Sequence, residues 1–246
     1  MGSTPDRAPS AAPGLRPRDH PSGQAICLDA TGTLIETSES VGEVYHRVAL
    51  AHGVDLPAWR LDDAFRRVIL RAPPRGLAGN SRLERRQHEM DWWSERVRQT
   101  FQATDSTARF DDFAAFASAL FDTYRDPTAW RIRDGVARTL ATLRRREFRL
   151  ALVSNFDHRL LEILEAFDLF HLFCLIEIPS EHGWAKPDPA LFESVAERLE
   201  QPIEALWYVG DDAPETLAAI ARLGVRVVDL RRLGRLDALL EVPELR

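Results

Sequence analysis

Ala25-Ile26-Cys27-Leu28-Asp29-Ala30-Thr31-Gly32-Thr33-Leu34 is the stretch that decides the fold. Its first four residues are all apolar, so the segment reads as a strand with no solvent face, the habit of buried parallel strands. The run stops on an acid. Gly32, two residues past Ala30, lets the backbone turn tightly and approach a ligand. A buried strand that delivers a carboxylate to the loop at its carboxyl end puts that acid where open α/β sheets gather their chemistry.

Further along, apolar runs alternate with helical patterns. Helices are predicted over 135–146, 158–167, 189–199 and 214–223, and strands over 149–155, 172–178, 206–210 and 225–230. That rhythm predicts an α/β fold built on a doubly wound, Rossmann-like parallel sheet covered on both faces. Between the first strand and this series lie four helical patterns, over 40–52, 61–70, 82–101 and 111–124, with no strand among them. Four helices in sequence predict a separate bundle. The expected organisation is a core formed by residues 24–37 and 127–246 and a helical cap over 38–126. Residues 1–23, rich in Pro, Ala, Ser and Arg and lacking an apolar stretch, are expected to be a disordered tail and not a secretory signal.

Composition narrows the function classes. The chain has 246 residues, 45% of them hydrophobic, and a formal net charge of −6. A sizeable core can be buried, and there is no basic footprint for nucleic acid. No apolar run reaches the ~18 residues of a membrane-spanning helix. Cys27 and Cys174 sit in apolar runs, as buried thiols of a reducing cytoplasm would. Of 32 basic residues all but one are Arg, and the exception is Lys186. Arginine serves wherever a surface charge suffices. A compact ammonium at a tight phosphate site is not replaced by a broad, planar guanidinium.

The candidate site residues fall at predicted strand ends. Asp29 can attack as a carboxylate nucleophile, splitting one difficult step into two through an acyl phosphate. Ser154 and Asn155 offer a hydroxyl and an amide to phosphate oxygens. Lys186, set between prolines in Lys186-Pro187-Asp188-Pro189, can neutralise phosphate and keep Asp29 ionised. Asp211 and Asp212 repel one another unless a cation compensates, and Mg²⁺ binds through one or two carboxylates plus waters and substrate oxygens. Each segment alone also suits an ordinary turn, a strand-to-helix junction or a helix N-terminus. Arg71, Arg75, Arg82, Arg85 and Arg86 suit either an anion-attracting patch or a solvated helix face. Trp92 and Trp93 suit packing within the bundle.

Taken in order, four segments resemble the motifs of the haloacid dehalogenase superfamily: Asp29-Ala30-Thr31-Gly32-Thr33-Leu34, Leu152-Val153-Ser154-Asn155, Lys186-Pro187-Asp188-Pro189 and Val209-Gly210-Asp211-Asp212. The helical insert resembles that family's C1-type cap. Trp92-Trp93, the Asp126–Trp130 segment and Ser154-Asn155-Phe156-Asp157 resemble a dehalogenase-like hydrolase subgroup. The resemblance implies Asp29 as nucleophile and Mg²⁺ ligand, with the Thr31 carbonyl and Asp211 completing the protein ligands and Asp212 supporting the metal through water. It implies Ser154 and Lys186 as the holders of the transferred phosphoryl group. The function it implies is a Mg²⁺-dependent phosphatase acting, as a monomer or homodimer, on a small phosphorylated, anionic metabolite, without nucleic-acid or membrane partners.

Two departures matter. Phosphatases of the superfamily carry a second Asp, a general acid and base, where this chain has Thr31. Its absence predicts slow turnover or a substitute group, with His158, Glu181 and His182 as candidates. Thr216 also stands where a further Asp is common. A metal-independent 2-haloacid dehalogenase, which lacks the second Asp too, is one alternative, and Asp211-Asp212 opposes it. A weakly catalytic binding or regulatory protein on the same fold is another. Phosphonate cleavage through a cap lysine is set aside, because the cap holds no lysine.

Overall fold

The computed structural model describes residues 23–73 and 81–245. The expected tail up to residue 22, and Arg75 among the cap arginines, lie outside the described residues.

Five parallel strands form the central sheet, in the order β5-β4-β1-β6-β7: β1 (Ala25–Leu28), β4 (Arg149–Val153), β5 (Leu175–Glu177), β6 (Trp207–Gly210) and β7 (Arg226–Asp229). The first strand in the chain is therefore the middle one in the sheet. Its alternation serves two cores at once. Ile26 and Leu28 join one apolar cluster with α5 (Val136–Arg145) and α6 (Arg159–Ala166). Ala25 and Cys27 join the other with the two helices that follow the short α7 (Pro179–His182), α8 (Pro189–Arg198) and α9 (Pro214–Arg222). A strand buried on both faces has no polar position to spare until it ends, and β1 ends at Asp29.

Helices α1 (Val41–Ala51), α2 (Ala58–Leu70), α3 (Arg82–Thr104) and α4 (Phe113–Thr123) surround an apolar cluster of their own, including Tyr45, Leu61, Val97, Phe101, Phe116 and Leu120. Ser40 with Glu43, and Ser81 with Glu84, form capping boxes that fix where α1 and α3 begin, each satisfying two otherwise orphaned backbone donors. At the two junctions between bundle and sheet, β2 (Ile35–Thr37) pairs antiparallel with β3 (Trp130–Ile132). That ribbon was not predicted, since three residues are too few to show a period. The predicted strand over 172–178 begins instead as a 3₁₀ turn over Phe170–Leu172, with β5 confined to the last part. Among the described residues no helix is long and apolar enough to cross a membrane.

One polar face of α3 lies against loops of the sheet. Arg82 pairs with Glu181. Arg85 donates to the carbonyls of Ser180 (2.9 Å) and Glu181 (2.7 Å). Glu89 Oε2 meets His158 Nδ1 at 2.9 Å, and Trp93 Nε1 donates to Asp157 Oδ2 at 2.8 Å. Positions 82, 85, 89 and 93 recur at the helical period, so one stripe makes all four contacts. Arg82 and Arg85 are thus spent on holding α3 in place. Glu89 is fully buried, so Glu89→Ala strips a buried partner from His158 and is expected to lower stability by about 1–3 kcal/mol. Urea unfolding followed by Trp fluorescence measures this. A loss no larger than that of an ordinary exposed substitution would show that the stripe holds nothing.

Candidate active site

Lys186 is the centre of the site. Its ammonium is buried and lies 2.9 Å from Asp29 Oδ1 and 2.9 Å from Asp212 Oδ1, and donates to the Tyr208 hydroxyl at 2.6 Å. Tyr208 in turn donates to Asp212 Oδ2 at 2.5 Å. Each element has a reason to be there. β1 and β6 are hydrogen-bonded neighbours, which sets Asp29 beside the end of β6. Tyr208 points from β6 into the apolar cluster under that end, where a phenol must find a polar partner for its tip. Asn155, just past β4, holds the lysine's own backbone: its amide donates to the Lys186 carbonyl at 3.0 Å and its oxygen accepts from the Lys186 N–H at 2.7 Å.

The residues expected from the sequence therefore take unequal places. Asp29, Ser154, Asn155, Lys186, Asp211 and Asp212 gather at the carboxyl ends of β1, β4 and β6 and in the loop before α8. Ser154 is buried, its hydroxyl accepting from the Phe156 N–H at 3.3 Å. Asn155 was read as a phosphate contact, but both ends of its side chain are occupied by Lys186. Asp212 was read as support for a metal, but both its oxygens face Lys186 and Tyr208. Tyr208 was missed. The sequence shows it only as one more apolar position of a strand; the available signal was a phenol at a position whose neighbours all face the core.

Asp211 stands apart from this cluster. Its described hydrogen-bonding contact is a long one, 3.5 Å, from the Thr33 hydroxyl, and it makes no ion pair among the described residues. Gly32 presses against it: the backbone there has φ +78°, and a Cβ would fall 2.1 Å from Asp211 Oδ2. Burial pushes the Asp211 carboxyl above its usual value, and Asp212 adds to the shift by repulsion. Burial also raises Asp29, and the Lys186 ammonium pulls it back without cancelling the rise. Lys186 is itself held above its ordinary value: burial opposes its charge, but Asp29 and Asp212 outweigh that, so it stays an ammonium. Three acids and one ammonium leave the cluster two charges negative when all are ionised. Asp29, Asp211 and the Thr31 carbonyl are hard oxygen donors suited to Mg²⁺, which uses few protein ligands. Among the described residues no three Asp, Glu, His or Cys side chains close round one metal position.

Asp29, Thr31, Ser154, Asn155, Lys186 and Asp212, but not Asp211, line one end of a cavity of about 440 Å³ that runs up to the helical bundle. Thr31 is exposed and lines it. His158, Glu181 and His182, the candidate substitutes for the missing acid, are not among its lining residues. They are bound to Glu89, Arg82 and Glu177 respectively, as parts of the scaffold.

Known proteins resemble this chain in sequence and in fold. Residues 24–224 match the haloacid dehalogenase-like hydrolase family. The chain is 32% identical over 190 residues to haloacid dehalogenase-like hydrolase domain-containing protein 3 of Homo sapiens, covering 76% of this chain and 73% of that protein. A HAD phosphatase from Thermococcus onnurineus superimposes with a TM-score of 0.59 at 18% identity, covering 89% of this chain and 97% of that one. YfnB of Bacillus subtilis, in a magnesium-bound crystal form, superimposes with a TM-score of 0.65 at 16% identity over 85% of this chain and 88% of that one.

Gly32→Ala tests how tightly the first loop and Asp211 are fitted. A side chain at this φ costs roughly 1–2 kcal/mol, and the new methyl must also displace the Asp211 carboxylate. The variant is expected to lose at least that much in chemical unfolding. Wild-type stability would show that the loop does not need glycine.

Proposed function

The chain belongs to the haloacid dehalogenase-like hydrolases, and on that premise we propose that it is a Mg²⁺-dependent phosphatase acting on a small phosphorylated metabolite through an aspartyl-phosphate at Asp29. The observation that carries the reading is the buried Lys186 ammonium held between Asp29 and Asp212 at the sheet end of the cavity. An ammonium there can meet the oxygens of a phosphoryl group as the nucleophile approaches it. Ser154, buried beside it, can donate a hydroxyl to the same group.

In this reading an Asp29 oxygen forms a bond to phosphorus while the bond from phosphorus to the leaving oxygen breaks. Water then cleaves the acyl phosphate, releasing inorganic phosphate and restoring the carboxylate. Asn155 and Asp212 position Lys186. Asp29, Asp211 and the Thr31 carbonyl would hold Mg²⁺, whose part is to neutralise charge on the phosphoryl oxygens. YfnB was crystallised with magnesium, and Asp211, which makes no ion pair among the described residues, supports a cation here. The helices of residues 38–126 act as a cap whose underside forms the far wall of the cavity. The two buried thiols, Cys27 and Cys174, suit a reducing cytoplasm.

Thr31 has no proton to cycle near neutral pH, so the leaving oxygen departs unprotonated or takes its proton from water. Positioned acids of this kind contribute ~10²–10⁴-fold. Among the alternatives, the dehalogenase uses no metal and leaves Asp211 unexplained. A purely binding role leaves the alignment of Asp29 with Lys186 unexplained.

Asp29→Asn and EDTA are each expected to lower turnover of an aryl phosphate by roughly 10³-fold or more. Halide release from a 2-haloacid in EDTA would replace this reading with the dehalogenase. Thr31→Asp is expected to raise turnover of alkyl phosphates by up to ~10²-fold and of aryl phosphates by less, as seen in steady-state kinetics; no gain in either would show that the missing acid does not limit the rate.

The raised carboxyls also set a pH dependence. The folded chain holds the protons of Asp29 and Asp211 more tightly than the unfolded chain does. Their protonation therefore favours the fold at low pH, and that contribution fades as pH rises through the raised values. Mg²⁺ needs the carboxylates ionised, so its affinity rises through the same window and its binding releases protons. Calorimetric Mg²⁺ titrations in buffers of different ionisation heat measure both effects. An affinity independent of pH below neutrality would refute this assignment of the ligands.

A further inference from the structure

The geometry points to a phosphate monoester of an apolar alcohol or phenol, with an aromatic group favoured, as the substrate class, an inference that rests on the phosphatase reading. The cavity is lined mostly by apolar side chains away from its Asp29 end. Beyond Asp29, Ser154 and Lys186 its wall is formed by Tyr45, Phe65, Trp93, Val97, Phe121 and Trp130. At about 440 Å³ it lies within the range of sites that enclose a good-sized organic molecule. A 2-haloacid or a phosphoglycolate-sized acid would leave most of it unfilled.

The larger polar groups along that wall are committed elsewhere. Trp93 Nε1 donates to Asp157 and Trp130 Nε1 to the Tyr124 carbonyl at 3.0 Å. The Arg159 guanidinium is bound to Asp157 through Nε (2.8 Å) and Nη2 (2.6 Å), donates through Nη1 to the Phe121 carbonyl, and lies 3.6 Å from the Phe121 ring centroid. Gln87 bonds Asp91 at 3.0 Å. Ser94 and Ser118 on α3 and α4 leave two short hydroxyls of the lining without a described partner. A sugar placed here would lose water from several hydroxyls with few partners in exchange. An aryl or alkyl group loses nothing of the kind and gains burial.

A further observation points the same way. Thr31 supplies no acid, so the site suits a leaving group that departs as a stable anion, as a phenol with a pKa near ~10 does and an aliphatic alcohol does not.

The test measures binding apart from turnover. Full-length protein with Mg²⁺ is titrated calorimetrically with methyl-, butyl-, hexyl-, phenyl- and naphthylmethylphosphonate, and with glucose 6-phosphate. Kd is expected to fall about fourfold per added methylene until the far wall is met, with the aryl compounds tightest. A series flat in chain length, or glucose 6-phosphate binding more tightly than hexylphosphonate, would overturn the inference. Ala117 lines the cavity from α4, and Ala117→Trp is expected to cut the hexyl-to-methyl affinity ratio at least tenfold; an unchanged ratio counts against the cavity as the binding site. Alkanoates of matching length separate the two levels of the reading. If they bind as tightly as the phosphonates, the preference for phosphoryl fails while the apolar cavity stands.

Discussion

A buried ammonium cannot stand alone, and the architecture of the site follows from that constraint. Removing a charge from water costs far more than one hydrogen bond returns, so Lys186 is tolerable only where carboxylates and a phenol surround it. Asp29 comes from the end of the central strand and Asp212 from the end of its neighbour, with Tyr208 below them on the same neighbour. A slip of one residue between β1 and β6 would turn Tyr208 to the opposite face and break the set. The loop carrying Lys186 has to be held as accurately, and the doubled hydrogen bond from Asn155 does that from a third strand end. The chain's one lysine is thus the point where three strand ends and a loop are tied together.

Much of this was legible in the sequence because burial leaves a periodic trace. The wholly apolar β1 announced a strand covered on both faces, and the alternation after residue 130 announced the parallel sheet. The unreplaced lysine marked itself in a chain that otherwise uses arginine. What escaped was whatever depends on partners distant in the chain. Tyr208 reads as a core aromatic until its hydroxyl is seen under Asp212. Asn155 and Asp212 have the side chains of ligand-binding residues, and nothing local shows that each is turned toward Lys186. Arg82 and Arg85 look like a solvated or anion-seeking face because the carbonyls they bind lie far along the chain, at Ser180 and Glu181.

The same long-range contacts bear on the exchange of Thr for Asp at position 31. Three ionisable side chains that might have taken over proton transfer are used structurally instead. His158 bonds Glu89 on α3, Glu181 bonds Arg82, and His182 meets the Glu177 carboxylate, which also pairs with Arg198. The stripe that holds α3 in place thereby closes one wall of the cavity and takes His158 and Glu181 out of the chemistry, while Glu177 does the same for His182. A site that keeps a charged attacking end but no proton donor places the burden on the leaving group.

The balance of charge and surface then links the two ends of the cavity. At the sheet end, Asp29, Asp211 and Asp212 exceed Lys186 by two negative charges, an arrangement that would repel a phosphate unless a divalent cation were also present. At the cap end, the aromatic walls offer area and almost no polarity. In the proposed phosphatase a phosphoryl group is therefore held only with the cation's help, while the group attached to it contributes through burial and not through hydrogen bonds. Binding energy from that remote apolar part is available to hold the phosphoryl group against Asp29. In a site without a general acid, such positioning is the main resource left to offset the slower chemistry.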